Sequence, residues 1–246
     1  MTLNQKLRSL QFINLFLSIG GLYYYGLSSF IVSYLAFVIL CPFGISTGLH
    51  RSFTHKSFKT SKFWERAMLL ASVYATVGSS IAWVGVHRAH HAFADKRYDP
   101  HSPNDSIIKA WTGIGHTETK ISIGYVKDLL RNPDHKFVHN HYFKILLIPV
   151  VLLYVINPWL GIFLYSLPAT LALQTTSVVN VLGHKHGYRS HATNDQSTNS
   201  WIANIISLGE GWHNNHHNKA NTYTTKEKSH EWDLIGSFIK LISRSN

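Results

Sequence analysis

Two long stretches of the chain carry no charge. From Ser9 to Leu49 there is no Asp, Glu, Lys or Arg, and from Ile145 to Gly183 there is none again. Each runs to about 40 residues, and a helix that crosses a bilayer needs about 20, so each has room to go out and come back. Gly26, Ser28 and Ser29 interrupt the first stretch and Asn157-Pro158 the second, as turn residues do. The pattern predicts four spans, near 9–26, 29–48, 143–157 and 159–182, paired as two hairpins. Soluble helices usually keep a charged face, which these segments lack. A fifth segment, 67–86, is also uncharged but rich in Gly, Ser, Ala and Tyr. It reads as a buried or interfacial helix that dips and returns to the side it came from.

All 23 Lys and Arg residues lie outside the two apolar stretches. With two hairpins, the N-terminal tail, the middle loop and the C-terminal tail share one side, and the positive-inside rule makes it the cytoplasmic side. The net charge of +11 follows from this topology and from attraction to anionic headgroups. No nucleic-acid recognition motif is present, so no such partner is implied. The fold class is an all-α membrane protein, residues 1–246 forming one domain, with 49–142 and 183–246 as a cytosolic helical cap. Cys41 is the single cysteine and lies in an apolar span, which excludes a disulfide framework and a cysteine-based metal motif.

The chemistry is in the histidines. Nine of the 17 fall into four groups: His50 and His55; His87, His90 and His91; His184, four residues after Asn180; and His213, His216 and His217. Positions i, i+3 and i+4 of a helix share a face, so each H-x-x-H-H projects together, as do Asn180 and His184. His50 and His55, five apart, do not share a face of an ideal α-helix; either local unwinding at the end of the second span aims both inward, or each serves a different metal. Neutral imidazole suits zinc, copper, iron or nickel. Nine such ligands are too many for one metal and about right for two. Soluble di-iron bundles use Glu with Glu-x-x-His pairs; here Glu210 precedes the fourth group by three residues but stands alone, so the site reads as imidazole-rich. Asp95, Asp99 and Glu210 are candidates to accept the outer ring N–H of ligand histidines. Arg51 and Arg88 stand to pair with those acids or with an anionic substrate headgroup. His101, His116, His135, His139, His141, His186, His191 and His230 lack partners at ligand spacing and read as solvated or headgroup-facing.

H-R-S-F-T-H at 50–55, H-R-A-H-H at 87–91 and G-E-G-W-H-N-N-H-H at 209–217 resemble the three histidine boxes of membrane fatty acid desaturases of the acyl-CoA delta-9 type. N-V-L-G-H at 180–184 is similar to that family's additional Asn/His element, and the likeness runs from about residue 10 to 220. It implies four spanning helices under a cytosolic cap. It implies two irons held by the nine histidines, with Asn180 reaching one metal through water. It implies dioxygen-dependent insertion of a cis double bond at the delta-9 position of a chain bound as acyl-CoA or acyl-lipid, with electrons from cytochrome b5 or a ferredoxin. Trp83 matches a position lining the family's acyl tunnel; Tyr34 and Val38 match positions closing its far end. A departure is A-W-T-G-I-G-H-T-E at 110–118, where the family commonly has His-x-Gly-Trp, which leaves both substrate forms open. The competing readings are a hydroxylase on a similar scaffold, whose first box commonly has three intervening residues rather than four, and a non-catalytic membrane metal-binding protein, which should carry ligands inside its spans.

Overall fold

The structure is a computed structural model that describes residues 2–104, 106–112 and 121–244. Among them the chain is helical, with two isolated antiparallel bridges, Tyr188 to Asn199 and Asn199 to Trp212. Helix α1 (Leu3–Tyr25) begins at a reciprocal cap between Thr2 and Gln5. Helix α2 (Leu27–Thr54) and helix α9 (Pro158–Lys185) are each 28 residues long and apolar enough to cross a membrane. Helix α8 (Tyr142–Ile156) reaches that standard only jointly with α7 (Pro133–Asn140), from which it turns by 62°. The described residues thus hold two candidate spans, or three with the bent pair. Asn157 makes the α8–α9 turn: its Oδ1 accepts from Trp159 N at 2.9 Å, and Pro158 opens the next helix where its missing N–H costs nothing. Phe12, Phe16, Ile31, Leu35, Val155 and Ile156 are exposed on α1, α2 and α8, an apolar belt suited to lipid.

Helices α1, α2 and α9 are joined through polar groups inside this apolar part. Asn14 Nδ2 donates to Tyr165 OH at 3.3 Å, Ser166 Oγ to Asn14 Oδ1 at 2.9 Å, and Ser33 Oγ to Phe163 O at 2.8 Å. Where no water competes, such bonds fix how helices are rotated against one another.

The second span does not unwind where it meets the polar part. From Ile39 to Thr54 it winds as a π-helix, with i→i+5 hydrogen bonding. His55 N donates to His50 O at 3.2 Å, and the side chains of Thr47 and Thr54 donate to the carbonyls five residues back. This winding brings His50 and His55 together, with ring centroids 4.9 Å apart. Expected unwinding is replaced by a wider winding.

The expected single helix over 67–86 does not form. Helix α3 (Lys62–Tyr74) ends before a turn in which Thr76 and Gly78 take positive φ, and α4 (Ser80–Phe93) starts on Ser79, whose Oγ accepts from Ala82 N. Gly78, at φ +97°, adopts that conformation without the strain a Cβ brings. Helix α3 lies against the π-helical part of α2 so closely that a Cβ at Gly44 would stand 2.8 Å from Ser72 N. Short helices α5 (Ile107–Thr112), α6 (Lys127–Arg131), α10 (Trp201–Ser207), α11 (His213–Asn218) and α12 (Leu234–Ile242) complete the polar part.

Candidate metal centre

Four elements bring the nine histidines to one place in two sets. His50, His55, His87, His91 and His216 form one set; His90, His184, His213 and His217 form the other; within each, one nitrogen per residue lies within 4.8 Å of all the rest. Each H-x-x-H-H therefore divides. Helix α4 sends His87 and His91 to the first set and His90 to the second; α11 sends His216 to the first and His213 and His217 to the second. The sets adjoin, the rings of His91 and His217 stacking at 4.5 Å.

Helix α11 has six residues, too few to hold itself, and the asparagines around it do that work. Asn199 Oδ1 accepts from the backbone N–H of Asn214 and Asn215, at 3.0 and 3.2 Å. Asn214 Oδ1 accepts from Ser190 N and His191 N, both at 2.8 Å, and Asn215 Nδ2 donates to Glu231 Oε2 at 2.9 Å. Trp212 is fully buried, its Nε1 donating to Trp232 O at 2.7 Å. The two asparagines tie the helix outward, and the three histidines are left to face inward.

Carboxylates set the ring tautomers. His50 Nδ1 is 2.9 Å from Glu210, His184 Nδ1 2.8 Å from Asp95, and His217 Nδ1 2.9 Å from Asp195. His90 Nδ1 lies 2.9 and 3.0 Å from the two oxygens of Asp99. A carboxylate accepts, so each Nδ1 carries the proton and each Nε2 presents a lone pair. Burial works to raise Glu210, but the charge of Arg51 and the hydrogen bonds from His50 and Arg51 outweigh it and hold the carboxyl at about 2. Asp195 is held well below the ordinary carboxylate range against the push of burial, chiefly by its bond to His217. Burial pushes Asp99 up to about 6. His87, His90, His91, His213 and His216 are driven well below their ordinary value, first by burial and then by neighbouring imidazoles, so they are neutral.

Neutral rings with lone pairs turned toward each other need a cation between them. Nε2 atoms stand 3.0 Å apart for His50 and His216, 3.1 Å for His91 and His216, and 3.2 Å for His87 and His91. In the second set His213 Nε2 is 3.1 Å from both His184 Nε2 and His217 Nε2. One proton on His213 cannot serve both. His55 Nε2 and His90 Nε2 are buried with no hydrogen-bond partner. With a metal–nitrogen bond of about 2.1 Å, adjacent octahedral ligands are about 3.0 Å apart and tetrahedral ones about 3.4 Å, so these spacings fit the former. Five donors also exceed the four of a tetrahedral zinc site. The residues fit a metal pair.

Other expected site residues stand as follows. Asn180 and Trp83 line a cavity that His50, His87 and His213 also face; Trp83 stacks on His87 at 4.8 Å. The same cavity is lined by the apolar Cys41, Ile45 and Leu173 and by the polar Asn4, Arg8, Gln11, Ser79 and His139. Tyr34 and Val38 do not line it. Tyr34 is 42% exposed on the outer face of α2, stacked on Phe30, and Val38 packs into the core. Arg51 makes the expected pairing with an acid: it is fully buried, bonded to Glu210 at 3.1 Å and to Asp233 at 2.7 Å. Arg88 is likewise committed, to Asp128 at 2.8 Å and to the carbonyls of Phe53, Thr54 and Tyr125. His101 and His135 are not solvated. His101 is buried, stacked on His90 at 4.0 Å, and His135 is buried, bonded to Ser80. His116 and the 113–118 part of the atypical segment lie outside the described residues. Asp195 and Asp233 carry no spacing signal; each sits in a loop that tertiary structure alone brings to its partner.

Apolar helices and two imidazole sets fit for metal ions define the class: a membrane protein with a candidate metal site facing a cavity. The fatty acid desaturase family model matches residues 28–225, and the chain belongs to that family. It is an oxidoreductase. The chain is 33% identical over 223 residues to the sn-1 stearoyl-lipid 9-desaturase of Synechocystis, covering 86% of this chain and 68% of that one. It is 36% identical over 197 residues to the sn-2 palmitoyl-lipid 9-desaturase of Nostoc, covering 76% and 67%. With the acyl-CoA 5-desaturase AL21 of Anemone leveillei it shares 28% identity over 229 residues, covering 87% and 69%.

Proposed function

We propose that this desaturase inserts a cis double bond at the 9-position of an acyl chain esterified to a membrane lipid, using two irons. The observation that carries this reading is the junction of the two imidazole sets with an apolar cavity walled by Trp83, Cys41 and Ile45. Relatives named for lipid-linked 9-desaturation support the substrate form and position. In this reading four helices, α1, α2, α8 and α9, span the bilayer, and the positive charge puts the metals on the cytoplasmic side. The nine histidines are the ligands, with Asn180 reaching one metal through water; electrons come from a ferredoxin or cytochrome b5.

When bound, two reduced irons supply the activation of dioxygen that cleavage of an aliphatic C–H bond requires. The protein does the rest. Glu210, Asp95, Asp99 and Asp195 keep protons on the outer ring nitrogens, so the inner ones stay available. Trp83, fixed against His87, holds the chain beside the first set. The apolar walls keep water from the reacting carbons. The polar lining residues Asn4, Arg8 and Gln11 suit an ester headgroup.

Expression in a desaturase-deficient host, with mass spectrometry locating the double bond and separating lipid classes, tests this. A 9-alkene appearing first on intact lipid is expected, and none with His216→Ala. A hydroxylated chain without alkene overturns the reaction; alkene formed first on acyl-CoA overturns the substrate.

A further inference from the structure

The surface beyond His55 carries a basic cleft that the reaction described above leaves unused. Lys56, Lys59, Lys240 and Arg244 line it together with Ser57 and Tyr223, and no acid is among its described lining residues. Lys59, Lys240 and Arg244 are exposed, and Lys56 pairs with Asp128 at 2.7 Å. The cations come from two segments clamped to each other. Thr60 Oγ1 donates to Ile242 O at 2.7 Å, and Arg244 N donates to Lys59 O at 2.9 Å. Their charge is therefore held in one place.

The floor of the cleft is wired to the first imidazole set. Lys56 follows His55 in the chain. Ser57 donates to Arg51 O from both N and Oγ, at 3.0 and 2.9 Å. Arg51 Nη1 donates to Tyr223 O at 2.9 Å, its Nε to Glu210 Oε1 at 3.1 Å, and Glu210 Oε2 holds His50 Nδ1 at 2.9 Å. A continuous hydrogen-bonded path thus runs from the cleft to His50.

Desaturation needs such an entry. Making the alkene breaks two C–H bonds and releases two electrons and two protons. Reducing dioxygen to two waters takes four of each, so two electrons and two protons must come from outside in every turnover.

We propose that this cleft is the docking surface for an acidic one-electron carrier protein, whose carboxylates meet Lys59, Lys240 and Arg244. The proposal rests on the desaturase reading. An anionic lipid headgroup matches the charge too, but the path to His50 and the adjacency to His55 favour a redox partner. Complementary charge of this kind steers encounter and is screened by salt.

The test uses the full-length, iron-loaded enzyme in phosphatidylcholine nanodiscs and a reduced plant-type ferredoxin followed by stopped-flow absorbance. The triple variant Lys59→Glu, Lys240→Glu, Arg244→Glu should oxidise ferredoxin about tenfold more slowly at low salt, with the gap closing as salt is raised. Its alkene yield in a single turnover after dithionite reduction should equal the wild type's. Lys240→Glu alone should show a smaller slowing, which guards against a triple variant that fails to fold. A control with the same charge change elsewhere, Lys127→Glu, Arg131→Glu, Lys136→Glu, should behave as wild type. Equal slowing in the control, wild-type rates in the cleft variants, or a defect that appears only in discs containing phosphatidylglycerol overturns the docking site, the last in favour of lipid. Failure of the dithionite-reduced wild type to form alkene instead refutes the underlying function.

Discussion

Glu210 serves two buried donors of different residues at once. Its Oε2 holds His50 Nδ1–H at 2.9 Å and its Oε1 holds Arg51 Nε–H at 3.1 Å, all three side chains being buried. Glu210→Gln keeps the shape but offers one acceptor and one donor group where two acceptors are needed. If the amide oxygen stays with Arg51, the NH2 faces His50 Nδ1, which can only accept by moving its own proton to Nε2. The ring then presents N–H to the metal and ceases to be a ligand. If the oxygen turns to His50, Arg51 Nε–H is left unpaired in the interior. Breaking a buried charge pair costs about 3–5 kcal/mol, and losing an outer-ring partner costs about 10–100-fold in metal affinity. Purified Glu210→Gln should hold less iron at the first set, bind added Fe(II) 10–100-fold more weakly by about the same argument, and unfold at lower temperature. Full iron content together with an unchanged melting temperature would refute the tautomer argument.

Asp195→Asn should act on the second set alone. Oδ1 of Asp195 accepts from Ser197 N, Ser197 Oγ and Thr193 Oγ1, so the amide oxygen will take that place and turn NH2 toward His217; total iron per chain should fall toward about half by metal analysis, with the first set retained. Gly44→Ala should drive α3 from α2 at a cost of about 1–3 kcal/mol and, by shifting His50 and His55, lower iron content as well as melting temperature. Metal-free protein should lose stability as pH falls below about 6.5. His87, His90, His91, His213, His216 and His217 are depressed in the folded state, so the unfolded chain binds more protons there. Asp99, raised to about 6, opposes this, but it is one group against six. A melting temperature flat between pH 7.5 and 5.5 would contradict it.

The long uncharged stretches announced the apolar helices, and i, i+3, i+4 spacing announced that each histidine group faces one way, because both follow from one-dimensional periodicity; that each H-x-x-H-H divides between two sets it did not announce. What stayed hidden depends on neighbours. Five-residue spacing reads as a mismatch unless the helix is π-wound, and that winding is set by packing of Gly44 against α3 and by Thr47 and Thr54 bonding five residues back. Residues 67–86 look continuous because serine and glycine are uncharged, yet Gly78 and Ser79 are a helix stop and a helix start. Arg51 and Arg88 look like substrate cations because their partners, Asp233 and Asp128, are distant in sequence. Tyr34, matched by family position, faces outward in this chain.

The division of each H-x-x-H-H between the two imidazole sets couples them mechanically. His90 leaves α4 within the same turn as His87 and His91, and His213 and His217 leave α11 beside His216. A metal that immobilises α4 and α11 at the first set has already ordered three of the four rings of the second. The ordering entropy is spent on the first ion, so the second should enter more tightly, and loading should be cooperative. The helical turn is also a ruler: with 1.5 Å of rise per residue, the separation of two ions held by these rings would be set by backbone more than by side-chain choice.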